Sequence, residues 1–264
     1  MEPLTPATLW PRVRAQTAKA LASGALEPWA TDVTALPDAG GLFQVRVMAS
    51  LEKKARPPAS PGDPFAWPWT GDLFVGDVSA THGCLLNKFP VFEHHALLVT
   101  RADEPQDAWL TPADGDALRF GLDAGGDVLG FYNGGSGAGA SQPHKHLQLV
   151  PLRASLEPLL RAGALPVRHA LVDTPKDGVA LADTVARLLR GLGLAPGAPW
   201  NLLATRDWLL VVPRRAESFE GVSVNALGFA GSLLVKSTAQ LERLRAVGPM
   251  AVLRAVGVPA PPST

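Results

Sequence analysis

The sequence predicts an α+β fold built on a mostly antiparallel sheet flanked by helices. Short apolar runs of strand character recur from residue 43 to residue 212, joined mostly by short turns. Segments with helical spacing fall irregularly among them, which argues against a βαβ repeat. The chain has 264 residues, 47% apolar and 18% charged, enough to enclose a sizeable core. A single domain over 1–258 is expected, with an N-terminal part (1–175) and a C-terminal part (176–258) packed together. No internal repeat or linker composition divides it, and the Ala/Pro-rich 259–264 reads as a disordered tail.

The elements follow in order. Residues 7–23 carry Leu9, Trp10, Val13, Thr17, Ala20 and Leu21 on one face of an amphipathic helix. From Gly41 the period changes to two: Phe43, Val45 and Val47 alternate with Gln44, Arg46 and Met48, a strand pattern. Residues 56–69 are proline-dense and form a loop, because proline neither donates to a ladder nor continues a helix. Strands are expected at 73–78, 84–89 and 96–101. Thr111-Pro112-Ala113-Asp114 starts a helix, with Thr as N-cap, Pro in the first turn and an acid beside it; Gly125-Gly126 ends it. Strands at 128–132 and 144–150 flank the glycine-rich loop 133–141. Residues 178–193 are helical, 202–205 and 208–212 form a hairpin about Arg206-Asp207, and 237–247 form a late helix.

Composition excludes several functions. With 24 basic and 24 acidic residues the formal net charge is zero, so nothing drives binding to a nucleic-acid polymer. One cysteine, Cys84, can form neither an internal disulfide nor a Cys-rich zinc site; a small buried side chain is expected. No apolar stretch reaches membrane-spanning length, and Met1-Glu2-Pro3-Leu4 opens no secretory signal pattern, so a cytoplasmic protein is expected.

The chemistry concentrates in His144-Lys145-His146-Leu147-Gln148. On a strand, His144, His146 and Gln148 share one face, while Leu147 and Leu149 point into the core. The loop Asn133-Gly134-Gly135-Ser136-Gly137-Ala138-Gly139-Ala140-Ser141 leads to that strand and can offer backbone N–H groups to phosphate oxygens. An anion-binding loop beside an imidazole suits nucleotidyl transfer, with one ring nitrogen free to attack and the other fixed as a donor. The same spacing also suits a His-x-His metal pair, completed by His82, His94, His95 or His169, or simply structural histidines.

A wider pattern bears on the choice. The stretch from Phe131 through Gln148 resembles the diadenosine tetraphosphate phosphorylases (ATP adenylyltransferases), of the galactose-1-phosphate uridylyltransferase branch of the histidine-triad superfamily. So do Leu85-Leu86-Asn87-Lys88-Phe89-Pro90-Val91, Glu93-His94-His95-Ala96-Leu97-Leu98-Val99-Thr100, Asn201-Leu202-Leu203-Ala204-Thr205-Arg206-Asp207-Trp208 and Val224-Asn225-Ala226-Leu227-Gly228-Phe229-Ala230-Gly231. Blocks in this order, from about residue 85 to 231, imply a histidine-triad-like fold. By that resemblance His146 is the nucleophile that becomes adenylylated, His144 positions it and contacts phosphate, and Gln148 hydrogen-bonds the transferred phosphate. Asn133 and Ser141 match phosphate-chain positions, within a loop (Gly134, Gly135, Ser136, Gly139, Ala140) expected to wrap the α-phosphate. Asn87 matches a residue near the nucleotide, and Lys54, or neighbouring Lys53, a phosphate-binding lysine.

The resemblance further implies that diadenosine tetraphosphate and inorganic phosphate are converted to ATP and ADP, with a divalent cation such as Mg arriving bound to the nucleotide. No structural zinc and no protein metal site are expected, and the chain is expected to be a monomer or homodimer. A related transferase or hydrolase of another nucleotide, or a non-catalytic nucleotide- or metal-binding protein, are the alternatives. Among other charged residues, Lys145 is expected to be a solvated strand-end lysine and Arg214-Arg215 a surface pair. Lys88 suits either phosphate or solvent, one of His94 and His95 lines the nucleotide pocket, and Trp67 and Trp69 anchor their loop.

Overall fold

The computed structural model describes residues 2–48 and 62–260. In chain order its elements are α1 (Pro6–Ala22), β1 (Thr31–Asp38), β2 (Gly41–Met48), β3 (Phe74–Asp77), β4 (His82–Leu86), β5 (Ala96–Thr100) and α2 (Pro112–Asp123). Then come β6 (Leu129–Gly134), β7 (His146–Val150), α3 (Glu157–Arg161), β8 (Ala170–Asp173), α4 (Gly178–Gly191), β9 (Trp200–Ala204) and β10 (Trp208–Pro213). The last are β11 (Ser218–Phe219), β12 (Val222–Ser223), α5 (Ala226–Phe229), β13 (Ser232–Val235), α6 (Thr238–Val247) and α7 (Pro249–Val256).

The central sheet has eight strands in the order β3-β4-β5-β7-β6-β9-β10-β8, antiparallel at every rung. It draws strands from both the N-terminal and C-terminal parts of the chain. Helices α1, α2 and α4 cover one face, where Leu9, Val13, Leu118, Leu122, Leu181 and Val185 meet Leu147, Leu149 and Leu202. The other face carries the smaller sheet β1-β2-β13 and the C-terminal helices, which bury Phe43, Val45, Leu233 and Leu253 against Leu129, Phe131, Val150 and Leu203. Adjacent residues of β6 and β7 thus feed opposite cores, as period two requires.

Local chemistry explains the helix starts. Thr111 caps α2 with a reciprocal bond to Asp114, and Pro112 occupies the first turn, where no N–H is needed. Thr5 and Thr8 do the same for α1, whose buried stripe is Leu9, Trp10, Val13, Thr17 and Ala20. Leu21, expected on that stripe, is 48% exposed. Helices α2 and α4 approach so closely that a Cβ on Gly115 would lie 2.0 Å from the Gly178 carbonyl oxygen.

Several elements were not expected. Strand β1 carries Pro37 and lacks clean alternation, yet pairs with β2 throughout its length. Strand β13 lies parallel to β2, and α7 follows directly from α6 at Gly248. Residue 259, placed in the tail, makes a bridge as Pro259 with Val167; 261–264 lie outside the described residues. No described helix is long and apolar enough to cross a membrane.

Candidate active site

β7 enters the centre of the sheet, between β5 and β6. His146 and Gln148 lie on the face of Val150, opposite Leu147 and Leu149. His144 stands just before the strand in a bridge with Pro105. The Phe65 ring lies 5.0 Å from the His146 ring and 6.1 Å from that of His144.

The hydrogen bonds fix each ring. His146 Nδ1 donates to the His144 carbonyl at 2.8 Å. A carbonyl only accepts, so the proton sits on Nδ1 and the lone pair on Nε2, which has no partner among the described residues. Burial lowers the His146 pKa to about 4; the backbone bond opposes this and the nearby His144 adds to it. His146 is therefore neutral at neutral pH, with an unprotonated Nε2.

Gln148 is oriented by a relay. Asn87 Nδ2 donates to His95 Nδ1 at 3.1 Å, and His95 Nε2 donates to Gln148 Oε1 at 2.9 Å. With the oxygen engaged, the Gln148 amide NH2 has no partner among the described residues. Burial holds the His95 pKa near 4, so the ring relays as a neutral group. Of the two neighbouring histidines, His95 joins the site; His94 Nδ1 meets Thr17 Oγ1 at 3.3 Å instead.

His144 donates from Nε2 to the Thr100 carbonyl at 2.8 Å, and its Nδ1 meets Asp63 Oδ2 at 2.5 Å. Both ring nitrogens are engaged, so its link to His146 runs through its main-chain carbonyl. Asp63, Asp103 and His144 bring three ligand atoms within 4.8 Å of one another. Magnesium prefers an octahedral oxygen shell rich in water. An imidazole nitrogen already bonded to Asp63 fits such a cage poorly.

The glycine loop follows β6. Asn133 is buried; its Oδ1 accepts from Asn201 Nδ2 and from the Ala226 N–H, each at 2.9 Å, which turns its NH2 away from them. A short 3-10 turn spans Ser136–Ala138. Gly135, Ala138, Gly139 and Ala140 spend their N–H groups on carbonyls of the loop and of Gln106, whereas those of Ser136 and Gly137 have no partner among the described residues. Gly139 has a φ of +90°, and a Cβ there would stand 2.9 Å from Asn225. The loop residues Gly135, Ser136, Ala140 and Ser141 line a cleft of about 360 Å³ with Pro105, Gln106 and Asp107. A larger hollow, lined by Arg119, Asp123, Lys176, Arg206 and Asp207, lies at the opposite end of β9 and is separate from the histidines.

Two expectations about charged residues are corrected. Lys145 is 1% exposed, not solvated: Nζ bonds Asp114 at 2.9 Å and Glu104 at 2.8 Å behind the histidine strand. Asp114 also accepts from His82 at 3.0 Å and caps α2. Burial works to raise the Asp114 pKa, but His82, Lys145 and Thr111 outweigh it and hold it at about 2. Arg214 is likewise buried, not superficial. Its guanidinium bonds Asn201 Oδ1 at 2.5 Å and the Ala138 carbonyl at 3.3 Å, supporting the loop from beneath. Burial lowers its pKa to about 10, against the pull of Glu217, so it stays cationic. In both cases a distant acceptor, invisible to local spacing, takes the charge inside.

The remaining candidates are simpler to place. Lys53 and Lys54 lie outside the described residues. Lys88 is exposed, 3.7 Å from Glu27. Trp69 anchors its loop by packing at a tilt against Phe74, ring centroids 6.0 Å apart, and by donating to the Phe65 carbonyl; Trp67, expected to anchor too, is 54% exposed. Cys84 is fully buried, and burial pushes its thiol pKa up to about 12. Gln106, whose side chain holds the His146 backbone, was not anticipated, because a lone amide in a loop carries no periodic or motif signal.

Known proteins resemble the chain over most of its length. Residues 1–172 match the Ap4A phosphorylase N-terminal domain, where Ap4A is diadenosine tetraphosphate, and residues 163–259 match the ATP adenylyltransferase C-terminal domain. The chain is 29% identical over 231 residues to diadenosine 5',5'''-P1,P4-tetraphosphate phosphorylase 2 of Saccharomyces cerevisiae, covering 69% of this chain and 71% of that protein. The crystal structure of yeast Ap4A phosphorylase Apa2 in complex with Ap4A superposes with a TM-score of 0.82 at 26% identity, over 97% of this chain and 99% of that one. Its complex with AMP gives 0.81 over the same shares.

Proposed function

Since the chain belongs to the Ap4A phosphorylase family, we propose that it is an Ap4A phosphorylase (ATP adenylyltransferase) that uses His146 to carry the adenylyl group. The observation that carries the assignment to His146 is its tautomer. A buried neutral imidazole with Nδ1 pinned to the His144 carbonyl presents an unprotonated Nε2 on the face of Gln148 and beside the glycine loop.

In the first step Nε2 attacks the α-phosphorus of Ap4A. The N–P bond forms, the bond to the bridging oxygen breaks, and ATP leaves with that oxygen's electron pair. The ring then carries positive charge, which the bond from Nδ1–H to the His144 carbonyl stabilises. In the second step an oxygen of inorganic phosphate attacks the same phosphorus, the N–P bond breaks, and ADP leaves with His146 restored. Negative charge on the equatorial oxygens is met by the Gln148 amide, the Asn133 amide and the free N–H groups of Ser136 and Gly137; such preorganised donors supply the dominant stabilisation. Apolar Phe65 against the His146 ring helps keep water from the covalent intermediate. A magnesium ion bound with the polyphosphate would neutralise part of its charge. The lone, buried cysteine suits the reducing cytoplasm.

The test is to incubate the protein with Ap4A with and without inorganic phosphate, and to record intact mass after substrate exposure. ATP and ADP that appear only with phosphate, and an adenylyl adduct lost in His146→Ala, support the proposal. Phosphate-independent AMP would make it a hydrolase, and an adduct that persists in His146→Ala would place the nucleophile elsewhere.

A further inference from the structure

Pairing between β6 and β7 stops early, although both strands continue. Phe131 pairs with Gln148, Gly130 with Leu149 and Leu129 with Val150. Beyond Phe131, β6 stays paired with β9 as far as Gly134, and β7 with β5 as far as His146. The same register would set Asn133 opposite His146, yet the two do not bond. The carboxamide of Gln106 lies between them. Its Oε1 accepts from the His146 N–H at 2.7 Å, and its Nε2 donates to the Asn133 carbonyl at 2.9 Å and the His146 carbonyl at 3.2 Å.

A carboxamide carries the donor and acceptor of a peptide unit, so it can stand in for a strand at one rung. The Gln106 main chain is equally engaged. Its N–H donates to the Pro143 carbonyl at 2.7 Å, and its carbonyl accepts from Gly135 N–H at 3.1 Å and Tyr132 Oη at 2.6 Å. One buried residue therefore touches the nucleophile's own backbone, the entry to the histidine strand at Pro143 and the start of the glycine loop at Asn133 and Gly135.

We propose that Gln106 is a positioning residue: a wedge that parts β6 from β7 at their catalytic end and sets the spacing between His146 and the phosphate loop. A closed rung would bring the Asn133 and His146 backbones to ordinary ladder spacing, about 4.5–5.5 Å between Cα atoms. The inserted carboxamide keeps them further apart without leaving either backbone unsatisfied, and so makes room for a phosphoryl group between loop and nucleophile.

The inference rests on the adenylyl-transfer proposal, so adduct formation by the wild type is measured alongside. Gln106→Met keeps the length and removes the hydrogen bonds. Its single-turnover rate of His146 adenylylation should fall at least tenfold, measured at a temperature where the variant is folded. Gln106→Glu can accept from His146 N–H in either ionisation state but can donate to the Asn133 carbonyl only as the protonated acid. The rate ratio of Gln106→Glu to wild type should therefore rise as pH is lowered, which a purely structural role would not produce. A Met variant that adenylylates at the wild-type rate, or a Glu-to-wild-type ratio flat with pH, overturns the wedge; the second result decides even if the Met variant fails to fold. A wild type that forms no adduct overturns the proposed function itself, and the wedge as a catalytic device falls with it.

Discussion

His95 donates from Nε2 to Gln148 Oε1 at 2.9 Å, and so fixes which end of the Gln148 amide is engaged and which is left free. In the proposed mechanism the free NH2 meets the phosphate, and without the His95 donor the amide could present its oxygen there instead, where like meets like. His95→Phe should lower kcat by about 10²-fold, the scale for losing one preorganised donor, with little change in KM. His95→Gln keeps a donor at the position of Nε2 and should recover much of the loss. Steady-state kinetics of both variants check this; a His95→Phe enzyme with wild-type kcat would show that Gln148 orients itself.

Burial keeps both His95 and His146 near pKa 4, below the ordinary value of 6.5. Between those values the unfolded chain binds protons that the folded one does not. The stability owed to these neutral rings is thus present above pH 6.5 and is lost as pH falls toward 4. Each ring can contribute a slope of up to about 1.4 kcal/mol per pH unit in that window. Urea unfolding across this range should show the fall, and His95→Phe should flatten it. Under the proposed mechanism the adenylylation rate needs neutral His146, so it should stay level through neutral pH and drop only as pH approaches 4.

Patterns carried by local chemistry were readable in the sequence. The Thr111-Pro112 start of α2 matches residue for residue, and strand parity places His146 and Gln148 on one face. What the sequence hid depends on partners far along the chain. Lys145 is buried because Asp114 and Glu104 meet it, and Arg214 because Asn201 and the Ala138 carbonyl do. The tautomer of His146 follows from the His144 carbonyl, a main-chain group that spacing does not display. β1 is not legible in the sequence because its exposed Val33 and its Pro37 blur the alternation.

Lys145 should matter for stability more than for chemistry, since its side chain faces away from the reacting atoms. Lys145→Met leaves the buried Asp114 carboxylate without its cation, and removing one partner of a buried pair typically costs about 3–5 kcal/mol. Adding Asp114→Asn removes the stranded charge and should restore part of that loss. Urea unfolding of the two single variants and the double variant gives the coupling energy. A Lys145→Met protein as stable as wild type would mean that the pair contributes nothing.

Arg214 should act on substrate affinity. Its guanidinium holds Asn201 Oδ1 and the Ala138 carbonyl, while Asn201 Nδ2 donates to the same carbonyl and to Asn133 Oδ1. These bonds set the curvature of the loop and the direction of the Asn133 amide, and leave the His146 ring untouched. Arg214→Met should therefore raise KM for Ap4A about tenfold, ~1.4 kcal/mol of binding, with a smaller effect on kcat. Arg214→Lys should not rescue, because an ammonium cannot span two acceptors as a planar fork does. Isothermal titration with AMP, which needs no turnover, provides the second measurement. Weakened AMP binding with a normal His146 adenylylation rate at saturation would place Arg214 in the loop's support; unchanged binding would show that the loop holds its shape without it.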